Sequence, residues 1–557
     1  MSCRRFAALF ALLLCLGCDR GERRIDDKPA STPPRPAITD GRPQDGGTLI
    51  RRFESEVGSL NPVVNSTIYE RQVAEYLFTP LVHLDQDLHP IPGLADSWDI
   101  EESGKLYRFK LNEKATFSDG TPVKASDVLF TLRKILDPAS EAVQTASVFE
   151  YLDLSRTRVV DDHTIEIAFR QPLASQLIRF HDVLVLPEQV YSKGNFRKDF
   201  NDTAVGSGPY RLLKRERGKE IIVERRSDYW GEKPPLQVVV FKIIIDQSTA
   251  WNALKRGDID ETRMPSDLYQ RESTNPELAK TIDFKRFYTL SYNFISWNTR
   301  TQHLRDARVR RALAMCIPID VVIKELYHNT ARAMSGPFTP DSFAYNPTVP
   351  VTRYDPAGAK ALLTSAGWRD TNGDGIVDRN GKPLKVELLT MSGAAATLQF
   401  TQMLQAEVKK IGVDFQVTLL EPSVAVGRIM GGNYEAAYLG YDLDNDPDPH
   451  NILHSTQIPP RGQNYSGYNN REMDRLLDAA RATLDQGTRK DLYWKVHELA
   501  AADQPYTFTL QVTSKWGINK RVRGLELSRG YGMYRWYPGP LGWWIPRELR
   551  THDRPAK

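Results

Sequence analysis

Cysteine is scarce in this sequence. The chain of 557 residues has four cysteines, and three of them lie within the first 18 residues. Cys316 is alone in the remainder, which excludes an internal disulfide framework. It lies on the apolar side of a predicted helix in the segment RVRRALAMCIPI, a position typical of a buried, unreactive thiol rather than a nucleophile.

An excess of charge of one sign is also lacking. The 74 Lys and Arg residues nearly balance the 70 Asp and Glu residues, giving a formal net charge of +4. So small a balance gives no reason to expect nucleic acid as a partner. The length is several times the roughly 150 residues of a typical domain, so we expect more than one lobe.

Sequence motifs of enzymes are missing. The chain has no HExxH, no paired CxxC and no phosphate-binding loop. GSGPY at 206–210 lacks the glycines of a dinucleotide loop and of a nucleophile elbow, and it indicates a turn that enters a strand. Because no nucleophile and base emerge as a pair, we expect no enzyme and no cofactor. A secreted hydrolase acting on peptides is the least favoured alternative.

The one marked apolar run lies near the N-terminus. It extends from Phe6 to Leu16 after two arginines and is too short to span a bilayer, which predicts an export signal. Gly17-Cys18 resembles a bacterial lipobox, although Cys15 stands where that motif usually has leucine. We expect residues 1–17 to be a lipoprotein signal peptide and Cys18 to carry the lipid, with simple cleavage as the alternative.

The next segment, residues 18–45, mixes charges with prolines and has no apolar period. This composition predicts a disordered tether, about 30 Å in root-mean-square length. The expected location is therefore periplasmic, tethered to the membrane as a lipoprotein.

Strand and helix patterns alternate from about Gly46 onward. LYRFKLN and TIEIAF alternate apolar and polar residues as half-buried strands do, and QVVVFKIII is suited to a central strand. SDVLFTLRKILDP, RVRRALAMCIPIDVVIKELY and REMDRLLDAARATL have helical spacing. In YDPAGAKALLTSAGW, Asp355 can cap a helix that Gly367 ends. The interleaved pattern predicts mixed α/β lobes.

The segment GYDLDNDPDPHN, residues 440–451, places four aspartates at alternate positions: Asp442, Asp444, Asp446 and Asp448. Four interpretations are open: a calcium loop, a transition-metal site with His450 and His454, a catalytic carboxylate pair, or an anchor for a cationic ligand group. Calcium is disfavoured because Pro447 and Leu453 stand where a calcium loop needs glycine and glutamate. The histidines lack an obvious third ligand, so we expect capping or packing and no metal.

Five ordered segments resemble one family: LADSWDIEESGKLYRFKLNEKATFSDGTPVKASDVLFTL, GSGPYRLLKRERGKEIIVERRSDYW, NTRTQHLRDARVRRALAMCIPI, YDPAGAKALLTSAGW and NYSGYNNREMDRLLDAA. From about Gly46 to about Trp544 the chain resembles the extracytoplasmic solute-binding proteins, family 5, of peptide-, dipeptide- and nickel-class ABC importers. The resemblance implies a monomeric, non-enzymatic receptor that passes peptides to ABC transporter permease subunits. A metal-chelate receptor using His450 or His454, and a tethered peptide sensor without transport, are alternatives.

The resemblance also implies the architecture, an α/β two-lobed periplasmic-binding-protein clamp of class II type with an extra subdomain. Lobe I would comprise 46–90, 207–293 and 511–547, with 91–206 as its subdomain, and lobe II would comprise 294–510. The connections in LSYNFISWNTR and near YTFTLQVTSKW would act as hinges.

The family pattern implies the site residues. Gly440, Tyr441, Asp444 and the DPD group at 446–448 follow it, with the intervening segment one residue shorter. The resemblance implies that Asp444 pairs with the α-ammonium of a peptide, with Asp442 as the alternative position. Trp297 and Tyr441 are expected to line the cleft. Asp446 and Asp448 each precede a proline, which favours an extended backbone and a structural role.

Overall fold

The computed structural model describes residues 41–64, 67–392, 395–525 and 537–551. The predicted signal peptide, Cys18 and the tether up to residue 40 lie outside these residues. Within the described ranges, no helix combines the length and apolar character needed to cross a membrane.

The strands are β1 Thr48–Phe53, β2 Val82–Leu84, β3 Pro90–Pro92, β4 Ala95–Glu101, β5 Leu106–Leu111, β6 Arg158–Asp161, β7 Thr164–Ala168, β8 Tyr210–Glu216, β9 Glu220–Arg225, β10 Val238–Ile243, β11 Glu261–Arg263, β12 Ile282–Tyr288, β13 Ser291–Trp297, β14 Ala331–Ala333, β15 Asp378–Arg379, β16 Lys382–Pro383, β17 Lys385–Met391, β18 Asp414–Leu420, β19 Ala436–Asp442 and β20 Tyr506–Asn519.

The α-helices are α1 Ile68–Leu77, α2 Ala125–Leu136, α3 Val143–Val148, α4 Gln176–Arg179, α5 Glu188–Tyr191, α6 Gln247–Arg256, α7 Ser266–Glu272, α8 Ala307–Ala314, α9 Ile319–Glu325, α10 Pro356–Ser365, α11 Ala395–Lys409, α12 Pro422–Met430, α13 His450–Leu453, α14 Arg471–Ala482 and α15 Gln486–Asp503. Short 3-10 helices cover Pro138–Ser140, Phe180–Asp182, Leu278–Lys280, Ser455–Gln457, Gly539–Gly542 and Arg547–Leu549.

One large mixed sheet runs through both lobes. Its main path has the order β18-β17-β19-β13-β20-β11-β1-β10-β9-β8, and β12 and β14 also pair with β20. The first part of β20 pairs with β13 and β14, whereas its last part pairs with β11 and β12. Strand β20 therefore belongs to lobe II at its start and to lobe I at its end.

Lobe I is built around β10, the strand predicted from QVVVFKIII. It lies between β1, to which it is parallel, and β9, to which it is antiparallel, and this position explains its continuous apolar run. The predicted strands LYRFKLN and TIEIAF are β5 and β7 of a separate four-stranded antiparallel sheet, β4-β5-β7-β6. This sheet lies within the segment expected to form the subdomain.

Lobe II carries helices on both faces of its part of the sheet. One buried cluster joins Ile295 and Trp297 of β13 to α8–α11, and another joins Tyr292 and Phe294 of the same strand to α14 and α15. Successive side chains of a strand point to opposite faces, so β13 supplies both clusters. Both faces of the strand are consequently covered.

The helix predictions were confirmed with one difference. Asp355 caps α10 by accepting a hydrogen bond from the Gly358 amide at 2.8 Å, and Gly367 adopts a φ of 86° after its end. The helical spacing predicted through RVRRALAMCIPIDVVIKELY is divided between α8 and α9, because Pro318 cannot donate an intrahelical hydrogen bond. Cys316 is fully buried, and burial raises the pKa of its thiol to about 12.

The chain passes between the lobes at two places that lie next to each other. The first is the turn between β12 and β13, and the second is the middle of β20. They are tied together, because the Gln511 side-chain amide donates to the Thr289 carbonyl at 2.7 Å and the Thr289 hydroxyl donates to the Val512 carbonyl at 3.2 Å. Strand β13 pairs with β19 from Ser291 onward, and the boundary of lobe II at residue 294 stays a prediction.

Candidate functional site

The acidic loop, residues 442–449, begins beside the chain crossings. Strand β19 ends at Asp442, which lies opposite Ser291 in the register of β13. The next amide, that of Leu443, donates to the Leu290 carbonyl at 2.7 Å. The loop is thereby attached at its start to the connection between the two lobes.

The same loop is attached at its other end to a second contact between the lobes. Asp448 forms an ion pair with Arg481 at 2.8 Å. The Arg481 carbonyl accepts a hydrogen bond from the Ala174 amide of the subdomain at 2.7 Å, and its guanidinium lies 5.9 Å from the centre of the Tyr151 ring. The loop thus runs from the connection near Leu290 to the contact with the subdomain.

The four aspartates of the loop occupy two different environments. Asp442 and Asp444 are exposed. Asp446 is 6% exposed and accepts a hydrogen bond from the Arg489 guanidinium at 2.7 Å, while Asp448 pairs with Arg481. The expectation that the second pair serves loop structure is in line with these contacts.

Electrostatics reinforce the two internal ion pairs. Burial acts to raise the pKa of Asp448, but the nearby cationic groups, chiefly Arg481, outweigh burial and hold the pKa below its usual value. Burial acts to lower the pKa of Arg489, but Asp446 outweighs it and the pKa is raised. Both shifts favour the charged forms of Asp448 and Arg489.

Tyr441 connects the exposed aspartates to the core. It is half-buried, and its ring lies 6.0 Å from that of Tyr292. Burial and, after it, the charge of Asp444 raise the pKa of Tyr441, while a hydrogen bond with the Asn451 side chain opposes the shift. The ring is therefore positioned beside Asp444 with part of its surface accessible.

Trp297 does not occupy the position expected from the sequence. Its side chain is fully buried in lobe II, and its Nε1 donates to the Thr507 hydroxyl at 2.8 Å. Because lobe II covers both faces of β13, strand alternation alone could not show that this indole belongs to the core. Trp297 is therefore a core residue of lobe II and does not line the cleft.

A small pocket in lobe I lies beneath residues 537–541. Its wall includes His83, His181 and Tyr537, and the rings of His83 and Tyr537 are 4.4 Å apart. Burial and the neighbouring His181 lower the pKa of His83 to about 3, so this imidazole is neutral at physiological pH. Arg51, also in the wall, pairs with buried Glu261 at 2.6 Å. The pocket therefore offers aromatic and imidazole faces.

The two histidines after the loop are stacked, with ring centres 4.3 Å apart. His454 accepts a hydrogen bond from the Thr456 amide at 3.1 Å and so caps the short 3-10 helix Ser455–Gln457. Burial lowers the pKa of His450 to about 3, and Arg481 adds to the shift. Asp478 of α14 lies beside both imidazoles.

Sequence reasoning missed the partners that α14 and α15 supply. Arg481, Arg489 and Asp478 lie some 30 to 40 residues beyond the loop. The helical spacing of these segments was recognised, but no local signal pairs a charge on one helix with a particular aspartate of a distant loop. Only an alignment of related sequences could have carried such a signal, through positions that vary together.

Comparison with known proteins places the chain among bacterial binding proteins. The oligopeptide-binding protein AppA from Bacillus subtilis is 27% identical over 519 residues, which cover 91% of this chain and 93% of the relative. The dipeptide-binding protein from Escherichia coli is 26% identical over 507 residues, or 86% of this chain and 91% of the relative. The nickel-binding periplasmic protein from Escherichia coli is 27% identical over 449 residues, or 78% and 84%.

Comparison with solved structures also places the chain among these binding proteins. The structure of Bacillus subtilis AppA in complex with a nonapeptide matches with a TM-score of 0.74 and 26% identity, over 91% of this chain and all of that chain. Residues 89–496 match the family described as "Bacterial extracellular solute-binding proteins, family 5 Middle". This match spans well over half of the sequence, and the chain therefore belongs to the family 5 bacterial extracellular solute-binding proteins.

Proposed function

We propose that this chain is the peptide receptor of an ABC importer. It binds an oligopeptide or dipeptide between its lobes, closes over it and presents it to the permease subunits as a monomer without catalysing a reaction. The observation that carries the proposal is the exposed carboxylate of Asp444, on a loop that runs between the two interlobe contacts. Relatives named as oligopeptide- and dipeptide-binding proteins support it.

Asp444 is proposed as the anchor of the peptide α-ammonium. A carboxylate inside a closing, largely dry cleft interacts strongly with a cationic group because little water remains to screen the pair. Asp446 and Asp448 are poor candidates because the side chain of each is largely buried against an arginine, whereas Asp444 is exposed. Asp442 is the alternative anchor, and the half-buried ring of Tyr441 supplies an adjacent wall.

A direct test compares a free-amine peptide with its N-acetylated form by isothermal titration calorimetry. Native mass spectrometry of the purified protein first identifies a co-purifying peptide to use. Deleting one member of an enclosed charge pair costs about 2–5 kcal/mol, so acetylation should weaken binding by roughly 30-fold or more. Equal affinities for the two peptides would contradict the ammonium anchor.

A metal-chelate receptor is the second candidate. The nickel-binding periplasmic relative from Escherichia coli supports it, as do two histidines next to the acidic loop. This candidate predicts that chelators abolish ligand binding and that N-acetylation of a peptide has no effect. A tethered peptide sensor without transport would bind as the receptor does, and uptake of peptide by cells lacking the gene would distinguish the two.

We also propose that the protein is anchored to the membrane as a lipoprotein through Cys18. Gly17-Cys18 directly follows the short apolar run, and a proline-rich segment separates it from the folded lobes. The wild type should partition with membranes, whereas Cys18→Ser should lose its acyl chains. A single acyl chain binds a membrane only marginally, so several are needed for stable anchoring. An unmodified mature N-terminus in an intact-mass measurement would contradict the anchor.

A further inference from the structure

Two pairs of metal-binding residue types face each other where α13 meets α14. His450 and His454 are four residues apart, and so are Asp474 and Asp478 on α14. Asp474 and Asp478 lie on the same face of α14, and His454, which directly follows α13, stacks on His450, so each pair forms one row. The two rows meet at the end of the acidic loop, in lobe II.

The ligand atoms of three of these residues are close together. His454 Nε2 lies 3.4 Å and His450 Nε2 lies 3.8 Å from Asp478 Oδ1. One ligand atom from each of the three residues lies within 4.8 Å of the others. Ligands at 2.0–2.1 Å from a tetrahedral Zn²⁺ are about 3.3 Å apart. The two imidazoles are stacked at an interplanar angle of 21°, so binding requires the rings to rotate until both Nε2 atoms face the ion.

An unsatisfied nitrogen points into the cluster. His454 is 6% exposed, and its Nε2 has no hydrogen-bond partner among the described residues. A buried polar atom without a partner is costly and calls for an explanation. Because Nδ1 accepts from the Thr456 amide, Nε2 carries the ring proton and is a donor without an acceptor. A metal ion bound at Nε2 in the other tautomer would remove this unsatisfied donor.

The surroundings of His454 allow the required tautomer. Its Nδ1 lies 2.8 Å from the Thr456 hydroxyl, which can accept the Nδ1 proton and leave the Nε2 lone pair for the ion. Binding would replace the present hydrogen bond from the Thr456 amide, which is 3.1 Å long. The loss of one neutral hydrogen bond is small compared with the free energy of a metal–imidazole bond.

The two aspartates of α14 have different roles in this arrangement. Asp474 accepts hydrogen bonds from the Ser455 amide and hydroxyl at 2.9 and 2.6 Å, so it is held as an outer partner. The side chain of Asp478 is 66% exposed, which gives an ion access from solvent. The nearby cation Arg481 is neutralised by Asp448 at 2.8 Å.

We propose that His450, His454 and Asp478 bind one divalent transition-metal ion, with a fourth position open to water. Two imidazoles and a carboxylate suit Zn²⁺ and related ions, whereas Ca²⁺ and Mg²⁺ prefer oxygen ligands only. The ion would link α13 to α14 and fix the end of the acidic loop. It is distinct from the ammonium anchor at Asp444, and peptide binding does not require it.

The test is Zn²⁺ binding to EDTA-treated, full-length protein without a histidine tag, measured by equilibrium dialysis and calorimetry. The wild type should bind one equivalent, and His454→Ala and Asp478→Asn should each weaken that binding at least tenfold. His89→Ala is the matched control, because His89 is an exposed histidine beside an aspartate, Asp85, outside the cluster. The control should bind like the wild type.

Misfolding is separated from loss of the site by thermal unfolding in EDTA, where the exposed Asp478→Asn variant should match the wild type. Zn²⁺ should raise the melting temperature of the wild type and of His89→Ala, and not that of Asp478→Asn. Absence of binding to the wild type, or wild-type affinity in both cluster variants, would overturn the proposal and leave packing of the stacked imidazoles against Asp478 as the explanation of the cluster. Peptide affinity measured in EDTA tests the receptor function separately.

Discussion

The two halves of the acidic loop contain the same residue type at the same spacing, yet their side chains differ in burial. Asp442 and Asp444 face solvent, whereas Asp446 and Asp448 lie against arginines of α15 and α14. The difference teaches that charge in the sequence does not specify function by itself. Burial against an arginine distinguishes the carboxylates that hold the loop together from those that lie at the surface.

A division of roles follows from this comparison. The paired half fixes the backbone at the second interlobe contact, through Asp448 and Arg481. The loop is held at both ends, so the anchor proposed at Asp444 is preorganised. Preorganisation increases affinity because less conformational freedom is lost when the ligand binds.

The largest effect is expected at Asp446, where the change breaks the paired half. Asp446→Asn leaves the Arg489 guanidinium buried without its carboxylate, and breaking a buried ion pair costs about 3–5 kcal/mol in the free energy of unfolding. Urea unfolding followed by circular dichroism measures the loss. If the double variant Asp446→Leu/Arg489→Met is no more stable than Asp446→Asn, the cost does not come from an unpaired charge.

A comparable effect, on peptide binding, is expected at Asp444. Asp444→Asn should weaken the binding of a free-amine peptide by roughly 30-fold or more, since the lost pair is worth about 2–5 kcal/mol. N-acetylation of the peptide should cause little further loss in this variant, because both changes delete the same interaction. Calorimetry measures both affinities, and wild-type affinity in Asp444→Asn would contradict the anchor.

The loss of stability caused by Asp448→Asn should be smaller than that caused by Asp446→Asn and larger than that caused by a change at an exposed aspartate. Its partner Arg481 is partly accessible, so we expect a loss of about 1–3 kcal/mol in unfolding free energy, less than at Asp446. Peptide affinity should change by less than tenfold, because the group does not contact the ammonium. A calorimetric loss equal to that of Asp444→Asn would show that the two halves do not differ in function.

Lys515, which lies outside the loop, provides a contrast to Arg489 because it is a buried cation that has no carboxylate beside it among the described residues. Lys515 of β20 is 3% exposed, and its ammonium donates to the Thr513 carbonyl at 3.1 Å. No carboxylate among the described residues lies within ion-pair distance of it. Burial and, after it, Arg286 lower the pKa of Lys515 to about 8, opposite to the shift of Arg489.

The lowered pKa of Lys515 makes the free energy of unfolding depend on pH. Because the folded pKa lies below the unfolded value of about 10.4, the folded state disfavours the protonated lysine. This destabilisation is complete below pH 8 and disappears above about pH 10.5. Lys515→Met should therefore raise the free energy of unfolding at pH 7 by up to about 3 kcal/mol, and by almost nothing at pH 10.5. Chemical unfolding at the two pH values measures the difference, and a gain independent of pH would contradict it.

Much of the fold could be predicted from the sequence, because local patterns specify it. The central strand β10, the cap of α10 at Asp355 and the strands of the subdomain sheet all follow from local periodicity and turn residues. Trp297 could not be placed because lobe II buries both faces of β13, so alternation does not distinguish a cleft from a core. Asp478 and the two arginines could not be paired with the loop because tertiary packing alone brings them there.

The smallest effect is expected at Asp442, the alternative anchor. This residue is exposed at the end of β19, opposite Ser291, so Asp442→Asn should change the free energy of unfolding by less than about 0.5 kcal/mol. Peptide affinity should change by less than about threefold, since a charge outside the enclosed pair is screened by water and salt. The same calorimetric titration used for Asp444→Asn measures it. A 30-fold or greater loss of peptide affinity in Asp442→Asn, with little change in Asp444→Asn, would move the anchor by two residues, to the end of β19. The contrast between the exposed and the buried half of the loop would then still hold.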